Sequence, residues 1–362
     1  MQQDKRSNIT LIVPAAGKSS RFPNMRPKWM LTHPDGQLMI EKVLRSFDYE
    51  KYKETYITIL SEHVKDFDAD VVISQAFGES VKIVVLEKPT SSCPETILRT
   101  LEKAKIAGRI IIKDTDCLVR PSEILSEDFV VGMSIDENSS VTKIQNKSFI
   151  VKNDDNIIQD IVEKSIVSNN ICLGVYCLDA ENFQTAYREI VNSNMLFKSS
   201  EVFVSHIVSH LMLNKGVVFH YVTATEYKDW GTLEEWQKER DSFKTFIFDI
   251  DGVMLKNYGK YGKKNWSNTF EPIAENIKLV KRLSDDGHEI IFMTSRPEEY
   301  VQEFKNYLIS EKIKFKTIIA GCNHSSRTII NDFANTNPYP SCKSISVMRN
   351  GKLENYFSDV IS

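Results

Sequence analysis

The chain has 362 residues, of which 41% are hydrophobic, 26% charged and 10% aromatic. This composition excludes collagen-like, low-complexity and largely disordered proteins, and the length corresponds to about two domains at roughly 150 residues each. Lys and Arg number 46 against 49 Asp and Glu, a net charge of −3. Because the chain lacks a general positive field that would attract a nucleic-acid backbone, we expect no nucleic-acid partner.

The cysteines and the apolar runs indicate a cellular compartment. None of the 6 cysteines forms a C-x-x-C pair, and most lie in apolar runs, which favours reduced thiols and a cytoplasmic protein. The first residues do not resemble a signal peptide, and no apolar run approaches the ~20 residues that span a bilayer. We therefore expect no membrane insertion, and a homo-oligomer stays open at this point.

Short apolar runs alternate with amphipathic segments from the start of the chain, which predicts an α/β fold with a mainly parallel sheet. Strands are predicted at 9–14, 55–60, 81–86, 109–113, 171–177 and 217–222. Helices are predicted at 37–47, 94–107, 179–192 and 200–214, with one more from a capping box at Thr232 to about residue 241.

A second alternation of strands and helices then begins. It predicts strand 244–250, helix 271–286, strand 288–294, helix 297–311 and strands near 315–320 and 327–331. Residues 244–362 carry 17 Lys and Arg against 14 Asp and Glu, net +3, whereas the rest of the chain is net −6. The change of sign supports two domains, which we place at 1–242 and 243–362.

The first motif follows the first predicted strand. Strand 9–14 runs into Ala15-Ala-Gly17-Lys-Ser-Ser-Arg21, and Pro27-Lys28 comes next. A small-residue turn leaves backbone N–H groups free for phosphate oxygens, and Arg21 and Lys28 add positive charge for a leaving group. This pattern favours a triphosphate site. One glycine at this spacing fits neither a Walker A loop nor a dinucleotide loop; a plain strand-to-helix connection is the alternative.

Two aspartates follow a later strand. Strand 109–113 ends in Asp114-Thr-Asp116, where a strand delivers side chains to a ligand crevice. Mg²⁺ takes oxygen ligands and commonly bridges substrate phosphates, so one or two aspartates are the expected protein contribution. Asp229, in Asp229-Trp-Gly-Thr232, is a candidate for the second ligand.

These motifs, taken in order, resemble the sugar-phosphate nucleotidyltransferases (nucleotide-sugar pyrophosphorylases) over about residues 8–240. The motifs that carry the resemblance are Ala15-Ala16-Gly17-x-x-x-Arg21, Pro27-Lys28, Asp116 after a strand, Glu163-Lys164 and Asp229-x-Gly-Thr232. The resemblance implies a Rossmann-like N-terminal domain with a GT-A-like mixed sheet. It also implies that a phosphate oxygen of an acceptor attacks the α-phosphate of a nucleoside triphosphate and releases pyrophosphate.

The resemblance also implies residue roles. The nucleotide would be bound by Ala15, Ala16, Gly17, Lys18, Ser19, Arg21 and Lys28. Arg21 would contact the outgoing pyrophosphate and Lys28 the α-phosphate, so both are catalytic candidates. Asp116 and Asp229 would hold Mg²⁺. Glu163 and Lys164 would face the acceptor, a sugar or polyol phosphate. The base-reading segment 87–96 matches no single nucleotide; CTP is placed first from the overall resemblance.

The second alternation opens with a further pair of carboxylates. Strand 244–250 ends in Asp249-Ile-Asp251-Gly252, so the two carboxylates, two residues apart, point to the same side of the strand end. One such group can attack phosphorus while the other moves a proton. Later strands end in Thr294-Ser-Arg296 and Asn331-Asp332.

These pieces resemble the haloacid dehalogenase superfamily of phosphatases over about residues 244–345, without room for a large cap domain. The resemblance implies that Asp249 is the nucleophile that forms an aspartyl-phosphate and that Asp251 is the general acid/base. Phosphate ligands would come from Thr294, Ser295 and Arg296, with Arg327 standing where a lysine is usual. The Mg²⁺ ligands would be Asp249, Asp251 and Asp332.

The sequence therefore predicts a bifunctional enzyme that makes an activated building block for a surface (capsular) polysaccharide. A glycosyltransferase of similar fold is one alternative, because Asp114-Thr-Asp116 also matches its D-x-D metal motif. Arg21 and Lys28 favour the nucleotidyltransferase, since they suit a departing pyrophosphate. A nucleotide-binding scaffold with an inactive phosphatase-like domain is the second alternative.

Overall fold

The structure of the chain is a computed structural model, and it describes residues 7–19, 21–23, 25–137, 144–193, 201–258, 266, 270–330 and 342–361. The chain divides into two units, Met1–Trp236 and Gln237–Ser362. Among the residues that the structure describes, no helix combines the length and apolar character needed to cross a membrane.

The N-terminal unit is built on one large sheet. Its strands are β1 Ser7–Pro14, β2 Tyr52–Leu60, β3 Lys82–Leu86, β4 Arg109–Lys113, β5 Cys117–Pro121, β6 Phe129–Ser134, β7 Ser148–Lys152, β8 Ile158–Glu163, β9 Asn170–Asp179 and β10 His220–Asp229. Its helices are α1 Met39–Ser46, α2 Ser61–Phe67, α3 Ala69–Phe77, α4 Cys93–Ala104, α5 Ala180–Asn192, α6 Val204–Lys215 and α7 Leu233–Asp241, the last running past the unit boundary.

The sheet is mixed. The strand order is β3-β2-β1-β4-β9-β6-β10-β5, and β7 pairs with β8 and β9. Strands β1 to β4 that lie side by side are parallel, whereas β9 runs antiparallel to both β4 and β6. The prediction of a mainly parallel sheet is therefore correct for the first half, whereas the second half is mixed, with β6 and β10 parallel and the pairs that involve β9 or β5 antiparallel. Strand β9 is buried over Ile171–Leu178, because it lies between apolar layers on both faces of the sheet.

Several elements of this unit were not predicted. The sequence analysis missed α2, α3 and β5 to β8, and the predicted strand 217–222 begins only at His220 and continues to Asp229. Short strands with polar edge residues, such as β8 with its partly exposed Gln159 and Asp160, give a weak apolar signal. This matters for function, since β5, β7 and β8 carry or adjoin residues of the candidate site.

The C-terminal unit has a smaller sheet. Among its described residues, β11 Thr245–Asp249, β12 Glu289–Met293 and β13 Thr317–Ile319 form parallel pairs in this order. The helices are α8 Ala274–Asp285, α9 Gln302–Ser310 and α10 Glu354–Ile361. Predicted strand 327–331 is wrong in its described part: residues 327–330 are irregular, and Ile330 is 91% exposed, so the local apolar pair is not buried in a sheet.

Candidate active sites

The loop after β1 begins inside the core and ends at the surface. Ala15 and Ala16 are buried, and the N–H of Ala15 donates to the carbonyl of Thr58 at 2.8 Å. Gly17 and Lys18 are exposed, and a side-chain carbon added at Gly17 would meet nothing within 4 Å. The loop is therefore anchored at its start and accessible to a ligand at its tip.

The end of this loop positions two basic residues. Ser19 adopts a left-handed conformation with φ 48°, and its hydroxyl accepts a hydrogen bond from the backbone N–H of Lys28 at 3.1 Å. The ammonium of Lys28 contacts Oδ2 of Asp116, and Nη2 of Arg21 lies 3.6 Å from the same oxygen. The structure thus brings the predicted phosphate-binding cations to the first predicted metal ligand.

The two carboxylates of Asp114-Thr-Asp116 are in opposite electrostatic situations. Burial alone would raise the pKa of Asp116, but the charges of Lys28 and Arg21 outweigh it and hold that pKa well below its usual range. Burial, followed by the charge of Asp116, raises the pKa of Asp114 to about 6. Its carboxylate packs against Gly174, where a side-chain carbon would lie 2.2 Å from Oδ2.

Asp229 reaches the same place from the far end of the unit. It ends β10 and is paired with Cys117 of β5, one residue after Asp116. A side-chain carbon at Gly231 would lie 2.9 Å from Oδ1 of Asp229, 3.1 Å from Oδ2 of Asp116 and 3.3 Å from Nη1 of Arg21. The two carboxylates and the guanidinium therefore converge on one point, which a residue larger than glycine would fill.

This donor set fits Mg²⁺. Two carboxylates that converge on one point match a cation that takes oxygen ligands and leaves positions for substrate phosphates and water. Among the described residues no group of three or more His, Cys, Asp or Glu side chains forms a candidate metal cluster. Asp116 and Asp229 would then be the protein ligands, with the remaining positions left to the triphosphate.

Two further residues of this site were missed by the sequence analysis. The ammonium of Lys147 contacts Oδ2 of Asp229 and donates to the hydroxyl of Tyr227 at 2.9 Å. Burial would lower the pKa of Lys147, but the charge of Asp229 outweighs it and raises that pKa. A single lysine before an unpredicted strand gave no signal, whereas Tyr227, two residues from Asp229 on one strand, shares its face and could have been found.

Glu163 and Lys164 lie at the end of β8. Ser148 is the cross-strand partner of Glu163, and the hydroxyls of Ser148 and Ser205 both donate to Oε2 of Glu163. Lys164 has a left-handed backbone with φ 54°, and its Nζ lies 4.2 Å from the centre of the Phe203 ring. The carboxylate is thereby fixed in place, and the ammonium rests on an aromatic face.

The C-terminal unit places its two carboxylates at the end of β11. Asp249 is the last residue of the strand, and Asp251 lies in the turn that follows. Gly252 has φ 94° and its N–H donates to the carbonyl of Leu255 at 2.7 Å. This positive φ, which glycine adopts without strain, turns the chain away from the strand end. The predicted pair therefore sits at the strand end in the described structure.

Thr294 and Arg296 both contact Asp251. The guanidinium of Arg296 donates to Oδ1 through Nη2 at 2.6 Å and to Oδ2 through Nε at 3.3 Å, and the Thr294 hydroxyl donates to Oδ2 at 3.3 Å. Thr294 is 0% and Arg296 2% exposed. That these two side chains bind substrate phosphate stays a prediction; in the described structure both are enclosed and contact the carboxylate of Asp251.

Arg327 lies beside Asp249, at an ion-pair distance of 3.5 Å. Its guanidinium is also 3.5 Å from the hydroxyl of Ser295. Burial, opposed by the charge of Arg327, raises the pKa of Asp249. Unlike Arg296, the Arg327 side chain is 38% exposed, so it is accessible to a phosphate. The predicted metal ligand Asp332 lies outside the described residues.

Comparison with known proteins gives matches in structure only. No protein-family profile matches the sequence, and no curated protein matches it. A nucleoside-diphosphate-sugar pyrophosphorylase from Vibrio cholerae RC9 is similar in structure, with TM-score 0.54 and 22% identity, over 63% of this chain and 98% of that one.

Two further solved structures show the same likeness. The inositol-1-phosphate CTP transferase from T. maritima has TM-score 0.50 and 14% identity, over 64% of this chain and 92% of that one. A putative glucose-1-phosphate thymidylyltransferase from Bacillus anthracis has TM-score 0.51 and 18% identity, over 64% and 94%. At these identities the likeness shows a shared fold. The predicted nucleotidyltransferase fold of the N-terminal part is confirmed, and the phosphatase fold of the C-terminal part stays a prediction.

Proposed function

We propose that the N-terminal unit transfers a nucleotidyl group from a nucleoside triphosphate to a sugar or polyol phosphate and releases pyrophosphate. The observation that carries this proposal is the convergence of Arg21 and Lys28 on Asp116, beside Asp229 at Gly231. Paired cations next to paired carboxylates suit a substrate that is a metal-bound polyphosphate. The shared fold with solved nucleotidyltransferases supports the same reaction class.

The residues supply charge and position rather than a nucleophile. The tip of the loop at Gly17 and Lys18 offers backbone N–H groups to the triphosphate. Arg21 neutralises the departing pyrophosphate, and Lys28 stabilises the charge that builds on the α-phosphate as the acceptor oxygen attacks in line. Mg²⁺ held by Asp116 and Asp229 would add Lewis-acid stabilisation of the phosphoryl oxygens.

The acceptor would approach along the end of β8. Glu163, fixed by two serine hydroxyls, offers a carboxylate to acceptor hydroxyls, and Lys164 offers an ammonium to its anionic group. For the base we test CTP first, because one structural neighbour is a CTP transferase. Another neighbour is a putative thymidylyltransferase, so dTTP belongs in the same panel.

Pyrophosphate release tests this proposal. Each of CTP, dTTP, UTP, GTP and ATP is incubated with Mg²⁺ and a panel of sugar and polyol phosphates, using Asp249→Asn protein so that phosphatase activity does not consume the acceptor. We expect pyrophosphate from one triphosphate and one acceptor. Arg21→Met should lose most of this activity. Arg26→Met should retain it, because Arg26 is a half-buried arginine that is hydrogen-bonded to Thr32 at 2.9 Å and belongs to no proposed site.

A second activity is favoured by the C-terminal unit, which we propose to be a phosphatase of the haloacid dehalogenase type. The supporting observation is that its two carboxylates differ in their contacts and in their exposure. Asp251 is held by Arg296 and Thr294, whereas Asp249 is 39% exposed at the side chain. A held carboxylate suits proton transfer and an accessible one suits attack on phosphorus. In this role Ser295 and Arg327 would receive the phosphate, and Asp249 with Asp251 and Asp332 would hold Mg²⁺.

Phosphate release from a panel of sugar and polyol phosphates tests the second activity. The wild type should hydrolyse at least one phosphomonoester, and Asp249→Asn should not. Asp285→Asn is the matched control, because Asp285 ends helix α8 and belongs to no proposed site. A wild type that is inactive across the panel would favour the scaffold alternative.

The two activities together suit synthesis of an activated building block for a surface (capsular) polysaccharide in the cytoplasm. Separate kinetics on unrelated substrates would remove this link between the units. The glycosyltransferase alternative differs in its products, since it would consume a nucleotide-sugar without forming pyrophosphate. Arg21 and Lys28 on Asp116 favour pyrophosphate chemistry, because a glycosyltransferase has no departing pyrophosphate to neutralise.

A further inference from the structure

Lys147 connects two parts of the N-terminal site. It directly precedes β7, and its carbonyl accepts a hydrogen bond from the backbone N–H of Lys164 at 3.0 Å. Its ammonium contacts Oδ2 of Asp229 and the hydroxyl of Tyr227. One residue therefore lies between the carboxylate pair and the strand end that carries Glu163 and Lys164.

Asp229 does not depend on Lys147 for its orientation. Its Oδ1 accepts a hydrogen bond from the N–H of Gly231 at 2.8 Å, and its Oδ2 accepts one from the hydroxyl of Tyr227 at 3.2 Å. Two other donors thus hold the carboxylate. Lys147 is therefore not the sole group that orients Asp229; what it adds to the two neutral donors is a positive charge.

Lys147 contacts the same carboxylate that would hold the divalent cation, through its other oxygen. Its ammonium contacts Oδ2 of Asp229 directly, and its side chain is only 19% exposed. If Asp229 held a divalent cation, the ammonium of Lys147 would be repelled by that charge and its contact with the carboxylate would weaken. A largely buried ammonium is costly without a counter-charge, and the flexible four-carbon stem of lysine lets it turn to a new one.

The location of Lys147 indicates which substrate phosphate it would bind. Arg21 and Lys28 already gather at Asp116, where the triphosphate is proposed to bind. The backbone of Lys147 instead adjoins that of Lys164, on the acceptor side, while its ammonium lies at Asp229. Resting on the proposed nucleotidyl transfer, we propose that Lys147 is a further catalytic residue that binds the phosphate of the acceptor after exchanging Asp229 for it.

The proposed change of partner at Lys147, from Asp229 to the acceptor phosphate, is consistent with the bonds that form and break in nucleotidyl transfer. An oxygen of the acceptor phosphate forms a bond to the α-phosphorus, and the bond from that phosphorus to the bridging oxygen breaks, so pyrophosphate leaves with the electron pair. Lys147 keeps its proton throughout. Its positive charge offsets the acceptor dianion, which otherwise is repelled by the triphosphate that it must approach.

Steady-state kinetics test the acceptor role. In the Asp249→Asn background, Lys147→Met is compared with Lys147→Arg and with Lys152→Met. Lys152 ends the strand that Lys147 precedes, but its ammonium bonds to Asn156 and lies over the Tyr221 ring. Lys147→Met should raise the KM for the acceptor about tenfold or more, as expected for loss of a charged hydrogen bond. The KM for the triphosphate should stay within about twofold, and Lys147→Arg should recover part of the loss.

Binding of Mn²⁺ without nucleotide gives a readout independent of turnover. Calorimetry should show that Lys147→Met binds Mn²⁺ at least about threefold more tightly than its parent, because a competing cation is gone. Lys152→Met should match the parent, and Asp229→Asn should remove the difference. Circular dichroism and thermal melting establish that each variant is folded.

The outcomes separate the two proposals. If the parent protein releases no pyrophosphate with any pair in the panel, the proposed function is wrong and the acceptor role of Lys147 falls with it. If the parent is active and Lys147→Met leaves the acceptor KM unchanged, only the role of Lys147 is overturned. Unchanged or weaker Mn²⁺ binding in Lys147→Met overturns the exchange at Asp229.

Discussion

The two units use strand-end carboxylates differently. In the N-terminal unit, Asp116 and Asp229 come from distant parts of the chain, and each meets an ammonium that could turn to a phosphate instead. In the C-terminal unit, Asp251 accepts hydrogen bonds from the buried side chains of Arg296 and Thr294. The first arrangement is suited to exchange of partners, and the second to holding one group still.

The difference follows from how each cation is attached. The Lys147 ammonium sits on a flexible stem and makes one contact to its carboxylate. The Arg296 guanidinium instead forms two hydrogen bonds to one carboxylate in a planar fork. A ligand can displace the former more easily than the latter. We therefore expect a substitution in one unit to change the activity of that unit and to leave the activity of the other unchanged.

The largest expected effect is that one substitution in each unit abolishes the activity of that unit and leaves the other activity intact. Asp249→Asn should lower phosphatase kcat by about 10³-fold or more, because the attacking oxygen is lost, and should leave pyrophosphate release unchanged. Asp116→Asn should do the reverse, since it removes a ligand of the proposed metal. Both activities are measured on each purified protein. Loss of both activities in either variant would contradict two independent sites.

Substitution of Arg296 should affect only the phosphatase activity, and should lower it by less than Asp249→Asn does. Arg296→Met should lower phosphatase kcat by about 10²-fold, because Asp251 loses the contact that orients it for proton transfer. Arg296→Lys should recover little, as an ammonium cannot make the same paired contact. A rise in substrate KM with unchanged kcat would instead return Arg296 to the phosphate-binding role that its sequence position suggested.

Gly174 tests how tightly the first site is packed. Gly174→Ala should destabilise the N-terminal unit by about 2–4 kcal/mol, because φ is +69° and the new carbon would lie 2.2 Å from Oδ2 of Asp114. Gly216→Ala is the control, with φ +65° and nothing within 4 Å; it should cost only about 1 kcal/mol. Urea unfolding followed by tryptophan fluorescence measures both. Equal losses would mean that the contact with Asp114 is unimportant.

Substitution of Asp114 should have a smaller, pH-dependent effect on the free energy of unfolding. Its pKa is raised to about 6 from the model-peptide value of 3.8, so the folded state binds the proton more tightly than the unfolded state. Stability from this group is present below about pH 4 and is lost as pH rises through about 6. Asp114→Asn should therefore be more stable than wild type by about 1–2 kcal/mol at pH 8.

That advantage should shrink as the pH falls toward 4. Urea unfolding at pH 4.5, 6 and 8 measures it. An advantage of Asp114→Asn that is constant across this range would show that Asp114 titrates normally in the folded protein.

The sequence was informative where function depends on residues at the ends of strands that stand out as apolar runs. Asp116 and Asp249 follow such strands, and both lie where they were expected. Lys147 was missed because it precedes a short strand that the apolar pattern did not predict. Arg296 is a different case: in the sequence a charged residue at a strand end resembles a phosphate ligand, and only the structure shows that it is buried and contacts Asp251.

The most direct test of the central claim follows the phosphorus atoms themselves. Asp249→Asn protein is given CTP or another active triphosphate with the matching acceptor phosphate and Mg²⁺, and the mixture is followed by ³¹P NMR. The account predicts equal amounts of free pyrophosphate and of a new product in which the α-phosphate is joined to the acceptor phosphate. Transfer of a sugar from a nucleotide-sugar, with no pyrophosphate formed from any triphosphate, would contradict it.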